Sequence, residues 1–69
     1  MRTFILFIEI IDERFSNDDE PTERIETRDE REVEAVDEVD AVETLREELC
    51  YHGMTSARDF KTLEIHEVV

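Results

Sequence analysis

A chain of 69 residues holds one small domain, and a single cysteine, Cys50, excludes an internal disulfide. Folding at this length buries only about 60% of the surface that the unfolded chain exposes. Twenty-one acidic residues against eight basic ones give a net charge of −13, which argues against direct nucleic-acid binding, since phosphate contact needs clustered Lys and Arg.

The excess charge is localised. Residues 9–48 contain 18 acids and 5 bases (Arg14, Arg24, Arg28, Arg31 and Arg46), a net −13. The rest of the chain holds 3 acids (Asp59, Glu64 and Glu67) against 3 bases (Arg2, Arg58 and Lys61), a net of zero. The whole excess is therefore contiguous, which an evenly solvated surface would not require.

The first segment reads as a strand. Phe4, Leu6, Ile8 and Ile10 share one face at period two, and Ile5, Phe7 and Ile11 the other. Apolar residues on both faces suit a strand in the middle of a sheet. Glu9, Asp12 and Glu13 end the apolar run too early for a signal peptide, and no small-residue cleavage site follows. No stretch approaches the roughly 18 apolar residues of a membrane span. With the free cysteine, these features suggest a reducing cytoplasm, that of a host if the chain is viral.

Asp12–Pro21 is rich in turn residues, ending in Ser16-Asn17-Asp18-Asp19-Glu20-Pro21. Residues 12–29 read either as a long hairpin or as a mobile loop. Glu30–Val36 alternates as an amphipathic strand with Val33 and Ala35 inward. Asp37 is placed to cap a helix, with Asp40 at its third position. At ~100° per residue, Val39, Val42, Leu45 and Leu49 form the buried stripe of that helix. Asp40, Glu43, Thr44, Glu47 and Tyr51 then point outward, His52 falls in the last turn, and Gly53 ends the helix as a left-handed residue. Phe60–Val68 reads as the last strand. The expected fold is α+β, a single domain over residues 1–69. It comprises a three-stranded antiparallel sheet in strand-strand-helix-strand order, with one helix packed on one face.

The acidic residues carry the strongest functional signal. Glu30, Glu32 and Glu34 project from one side of a strand about 6.7 Å apart. That spacing is close to the phosphate repeat of a nucleic-acid backbone. Asp40, Glu43 and Glu47 form a second row, and Asp18, Asp19 and Glu20 a third cluster. Such rows can occupy the basic groove of a nucleic-acid-binding protein, gaining association rate from long-range attraction.

Other chemistries fit less well. Carboxylates are everywhere, but general acid–base catalysis needs one with a perturbed pKa inside a pocket. No nucleophile motif, Gly-rich loop or phosphate cradle is present, so no enzymatic activity and no cofactor are expected. Cys50, His52 and His66 supply only one closely spaced pair, short of a structural zinc site. Asn17-Asp18-Asp19-Glu20 lacks the alternating ligands and central glycine of a helix–loop–helix calcium site. No metal site is expected.

The size, the element order and the helix end Cys50-Tyr51-His52-Gly53 together resemble the small phage-encoded anti-CRISPR inhibitors. The resemblance covers the C-terminal half, and the acidic stretch departs from it. It implies a catalytically inert protein that binds a CRISPR effector or another host-defence protein and keeps nucleic acid out.

The sequence reading is thus a non-enzymatic, acidic inhibitor acting by protein–protein interaction on a basic nucleic-acid-binding partner. The alternative is a small halophilic cytosolic protein whose acidity is salt adaptation, supported by one lysine against seven arginines. One helix covers one sheet face only. Ile5, Phe7 and Ile11 on the other are accordingly expected to form a homodimer interface.

Overall fold

The computed structural model of the chain describes residues 1–15 and 21–69. Its elements are β1 (Arg2–Phe15), β2 (Pro21–Ala35), α1 (Glu38–Leu49), β3 (Tyr51–His52) and β4 (Ser56–Val68). The strands form one antiparallel sheet in the spatial order β2-β1-β4-β3. The class is α+β, but the sheet has four strands, not the three expected.

The fourth strand comes from the end of the predicted helix. α1 stops at Leu49, and Cys50 is already extended at φ −81° and ψ 139°. Tyr51 and His52 then pair with Arg58 and Ala57 of β4. Gly53 donates its N–H to the Ser56 carbonyl at 2.8 Å, closing the β3–β4 turn. A Cβ on Gly53 would lie 3.1 Å from that same oxygen, so close approach, not a left-handed backbone, is what the glycine supplies. The Cys50-Tyr51-His52-Gly53 run is therefore a helix exit, a strand and a turn. It is not the helix end on which the anti-CRISPR resemblance partly rested.

β1 lies inside the sheet because it carries apolar side chains at nearly every position. Phe4, Leu6 and Ile8 are completely buried, with Ile10 nearly so, against Val33, Ala35, Ala41, Leu45 and Phe60. Each large side chain so buried contributes about 1.5–3 kcal/mol. Val42, Leu49, Cys50 and Ile65 pack around this core. Val39, expected in the buried stripe, is 67% exposed, and Ala41 takes its place at 0%.

The helix start is held by two aspartates. Asp37 Oδ1 accepts the Asp40 N–H at 2.8 Å, and Asp40 Oδ2 accepts the Val36 N–H at 3.1 Å. Two backbone donors at the helix entrance are thereby satisfied reciprocally.

α1 has 12 residues, about 18 Å at the helical rise, while the described chain extends over 47 × 18 × 12 Å. The helix consequently roofs only one end of the sheet. Beyond Ile10 and Phe60 the same face turns polar, with Arg58 Nε donating to Asp12 Oδ1 at 2.6 Å. β1 and β2 stay paired from Arg2↔Ala35 to Phe15↔Pro21, so among the described residues 12–15 and 21–29 are strand. Every residue from Glu23 to Glu30 is exposed, so this half of β2 is covered on neither side.

Candidate functional site

Strand parity sorts the acidic residues. On β1 the even positions from Phe4 to Ile10 face the helix, so Thr3, Ile5, Phe7, Glu9, Ile11 and Glu13 face the open side. The register brings Glu34, Glu32 and Glu30 opposite Thr3, Ile5 and Phe7 on that open side. All three glutamates are exposed, and among the described residues none is engaged in an ion pair. Further along the same face the charges are compensated across the ladder. Arg28 reaches Glu9 at 3.9 Å, and Arg24 reaches Glu13 at 3.9 Å and Glu26 at 3.0 Å. The open face is thus unpaired acid at one end and an acid–base lattice at the other.

The helix row does not join the strand row. Glu43 and Glu47 are exposed on α1, which packs on the opposite face of the sheet from Glu30, Glu32 and Glu34. Asp40 is half-buried and occupied by the Val36 N–H, so it acts as a cap rather than as part of a contact row. Asp18, Asp19 and Glu20 lie outside the described residues.

Ile5, Phe7 and Ile11 are half-buried, not exposed. The Phe7 ring meets His66 edge-on at 5.9 Å between centroids. Neighbouring side chains thus cover part of the face that the sequence left bare.

One cluster was not legible in the sequence. Asp59 Oδ1 accepts from Arg46 Nη1 at 2.8 Å, from the Phe60 N–H at 2.8 Å and from Cys50 Sγ at 3.3 Å. The backbone donor, the thiol and the guanidinium together hold the Asp59 carboxyl below its ordinary range. Burial, reinforced by Asp59, pushes the Cys50 thiol up and keeps it protonated. The group lines a groove of about 480 Å³ beside Tyr51 and His52. Its parts are a protonated thiol and a carboxylate whose Oδ1 already accepts from three donors, which makes it a joint between helix and sheet. His66 lies opposite Ile5 at the other end of β4, remote in the ladder from His52 opposite Ala57. Among the described residues no three His, Cys, Asp or Glu side chains are grouped to hold a metal ion. Among them, too, no helix is long and apolar enough to cross a membrane.

The chain matches no protein-family model, no curated protein and no solved structure.

Proposed function

We propose that the protein is a non-enzymatic binding protein whose acidic open face occupies a basic, nucleic-acid-binding site on a partner protein. The observation that carries this reading is the row Glu30, Glu32 and Glu34. These residues alternate along one edge strand and are exposed and free of ion pairing among the described residues. Strand geometry sets neighbours in the row about 6.7 Å apart. Carboxylates without an ion pair have no intramolecular partner to give up and are free to meet incoming Lys and Arg side chains. A CRISPR effector or another defence protein that holds nucleic acid in a basic groove is the kind of partner this row fits.

The test is a pull-down from bacterial host lysate at low ionic strength, followed by elution with salt. The expected eluate is enriched in nucleic-acid-binding proteins, and added DNA competes with the capture. Capture that DNA leaves unchanged overturns the reading.

A second reading rests on a different observation. The helix row Glu43 and Glu47 lies on the side away from the strand row, so one groove cannot take both. Acid on two opposite sides is what a salt-adapted surface shows. Circular dichroism against KCl separates the two: a halophilic chain gains structure steeply as salt enters the molar range, whereas the binding protein is folded in dilute buffer.

A further inference from the structure

The hydrogen-bonding edge of β2 away from β1 is unpaired among the described residues, since β2 ends the sheet order. A long bare edge is a template for another strand, and natural sheets usually blunt it with like charge or proline. Here the edge is built differently. Although the chain carries −13, residues 23–31 hold 4 acids (Glu23, Glu26, Asp29 and Glu30) and 3 bases (Arg24, Arg28 and Arg31), a net of −1. Three of the five bases in the acidic stretch are gathered on this one edge.

Their order is self-complementary. A two-fold axis perpendicular to the sheet keeps every side chain on its own face, and directly opposed residues in an antiparallel pair share a face. Symmetric registers therefore differ in steps of two residues. With the axis at Thr27, Arg24 meets the other copy's Glu30, Glu26 meets Arg28, and Glu23 meets Arg31. Ile25 meets Asp29, and no like charges are opposed. Moving the axis to Glu26 sets Glu26 against itself, Arg24 against Arg28 and Glu23 against Asp29. Moving it to Arg28 sets Arg28 against itself and Glu26 against Glu30, with Arg24–Glu32 alone in favour. Opposite charges across a ladder are favourable and like charges unfavourable, so the neighbouring registers on both sides are penalised.

The observed ion pairs extend into this arrangement. Glu9 and Arg28 already face each other within one chain, as do Glu13 and Arg24. A second copy continues the alternation, placing its Glu26 beyond Arg28 and its Glu30 beyond Arg24. Each guanidinium has five N–H donors and can serve both sides. Sterically the edge is open, because α1 packs on the Val33–Ala35 end while Glu23 to Glu30 are exposed throughout. In the antiparallel pair the two helices lie at opposite ends.

We infer that the β2 edge pairs with the β2 edge of a second copy of this chain about a two-fold at Thr27. The result is a homodimer with one continuous sheet, four strands from each copy.

The test uses two single charge reversals. The wild-type chain is expected to sediment as a dimer at tens of micromolar and ~0.15 M salt, where the net repulsion is screened beyond about 8 Å. Arg24→Glu and Glu30→Arg each create like-charge oppositions on both sides of the axis and should weaken dimerisation by at least about tenfold. Glu30→Arg does so while lowering the net negative charge, the reverse of what overall repulsion predicts. Mixed in equal amounts, the two variants regain complementary pairs and form a heterodimer of wild-type affinity. Circular dichroism confirms that each variant is folded. A monomeric wild type, or a mixture that stays monomeric, overturns the proposal. So does a dimer indifferent to Arg24→Glu but split by Phe7→Asp, which places the contact on the open face.

Discussion

Asp59 Oδ1 accepts a 2.8 Å hydrogen bond from Arg46 Nη1, tying the last turn of α1 to β4. The same oxygen takes the Phe60 N–H and the Cys50 thiol, so one carboxylate joins helix, helix exit and strand. The Arg46 guanidinium also lies 5.0 Å from the centre of the Phe60 ring. Asp59 and Arg46 are both substantially exposed, and water screens the pair. Asp59→Ala is expected to cost about 1 kcal/mol, mostly through the orphaned backbone and thiol donors. In a domain of this size that lowers Tm by roughly 4–8 °C. Thermal melts at neutral pH check it, and an unchanged Tm removes Asp59 as the joint.

Acid titration should show the same joint from another direction. Asp29, Asp59 and Glu67 are all held below their ordinary carboxylate values. Asp29 is held chiefly by the Glu30 N–H, Asp59 by the Phe60 N–H and Glu67 by Arg2. A carboxylate lowered in the folded state lends stability at pH above its unfolded pKa, and that stability is lost as pH falls through the folded value. The unfolded references are 3.8 for Asp and 4.5 for Glu, so this loss begins near there and deepens below. Protonating the other carboxylates works the opposite way by relieving the −13 self-repulsion. Asp59→Asn is therefore expected to flatten the acid limb of stability, measured as urea midpoint between neutral pH and pH ~3. An acid limb identical in slope to wild type contradicts the assignment.

Two helix substitutions separate the observed core from the one that periodicity suggests. Leu45 is 1% exposed and Val39 is 67% exposed, although both sit on the stripe read from the sequence. Leu45→Ala is expected to cost about 2–5 kcal/mol, a large part of what so short a chain can have. Val39→Ala should fall within about 0.5 kcal/mol of wild type. Equal destabilisation by the two, in parallel urea melts, would mean that α1 packs on a different face.

The contrast shows which parts of the fold were legible. β1 was legible as an inner strand, because apolar residues on both faces are a local signal. That Phe4, Leu6, Ile8 and Ile10 take the helix side was not, since both sets are apolar. The Asp37 cap was, because capping chemistry involves only the next three residues. Val39 misled because periodicity weighs hydrophobicity, whereas Ala41, small enough for close approach of helix and sheet, occupies the contact line. Tyr51–His52 misled because a two-residue strand has no pattern of its own; its partners Arg58 and Ala57 decide it. For the acidic site, the strand row was legible from parity. Its separation from the helix row was not, since that depends on which sheet face α1 covers.

Cys50 should behave as a protected thiol. Burial first, and Asp59 second, push its pKa up, and only Arg46 and the Phe60 N–H pull the other way. The thiolate is the reactive form, so alkylation by iodoacetamide at pH ~8 is expected to be slower than for a cysteine in an unfolded chain. Unfolding in urea should restore the ordinary rate. Asp59→Ala should speed the folded-state reaction, because it removes both the acceptor and the negative charge. A folded-state rate as fast as the unfolded one would show Cys50 to be an open nucleophile.

Charge reversal by position tests the binding surface. Glu30, Glu32 and Glu34 lie on the open face, whereas Glu43, Glu47 and Glu48 are exposed on the helix that covers the other. Changing either trio to Lys alters the net charge by the same amount. Because Glu30 also stands in the proposed β2 pairing, sedimentation first fixes each variant's oligomeric state, and a difference at matched state reports position. The strand positions project from the sheet and the helix positions into solvent, so both triple variants should keep the wild-type circular dichroism spectrum. The strand trio is expected to abolish capture of a basic partner, because each new ammonium faces the cations that the carboxylates met. The helix trio should mainly slow association by weakening long-range attraction, leaving the dissociation rate near wild type. Glu64 does not serve as a neutral control, since the register sets it opposite Phe7, across β1 from Glu30 on the same face. Surface-based kinetics at two salt concentrations provide the measurement. Equal loss of binding from both trios would mean that the partner responds to net charge alone and that the strand row is not its contact.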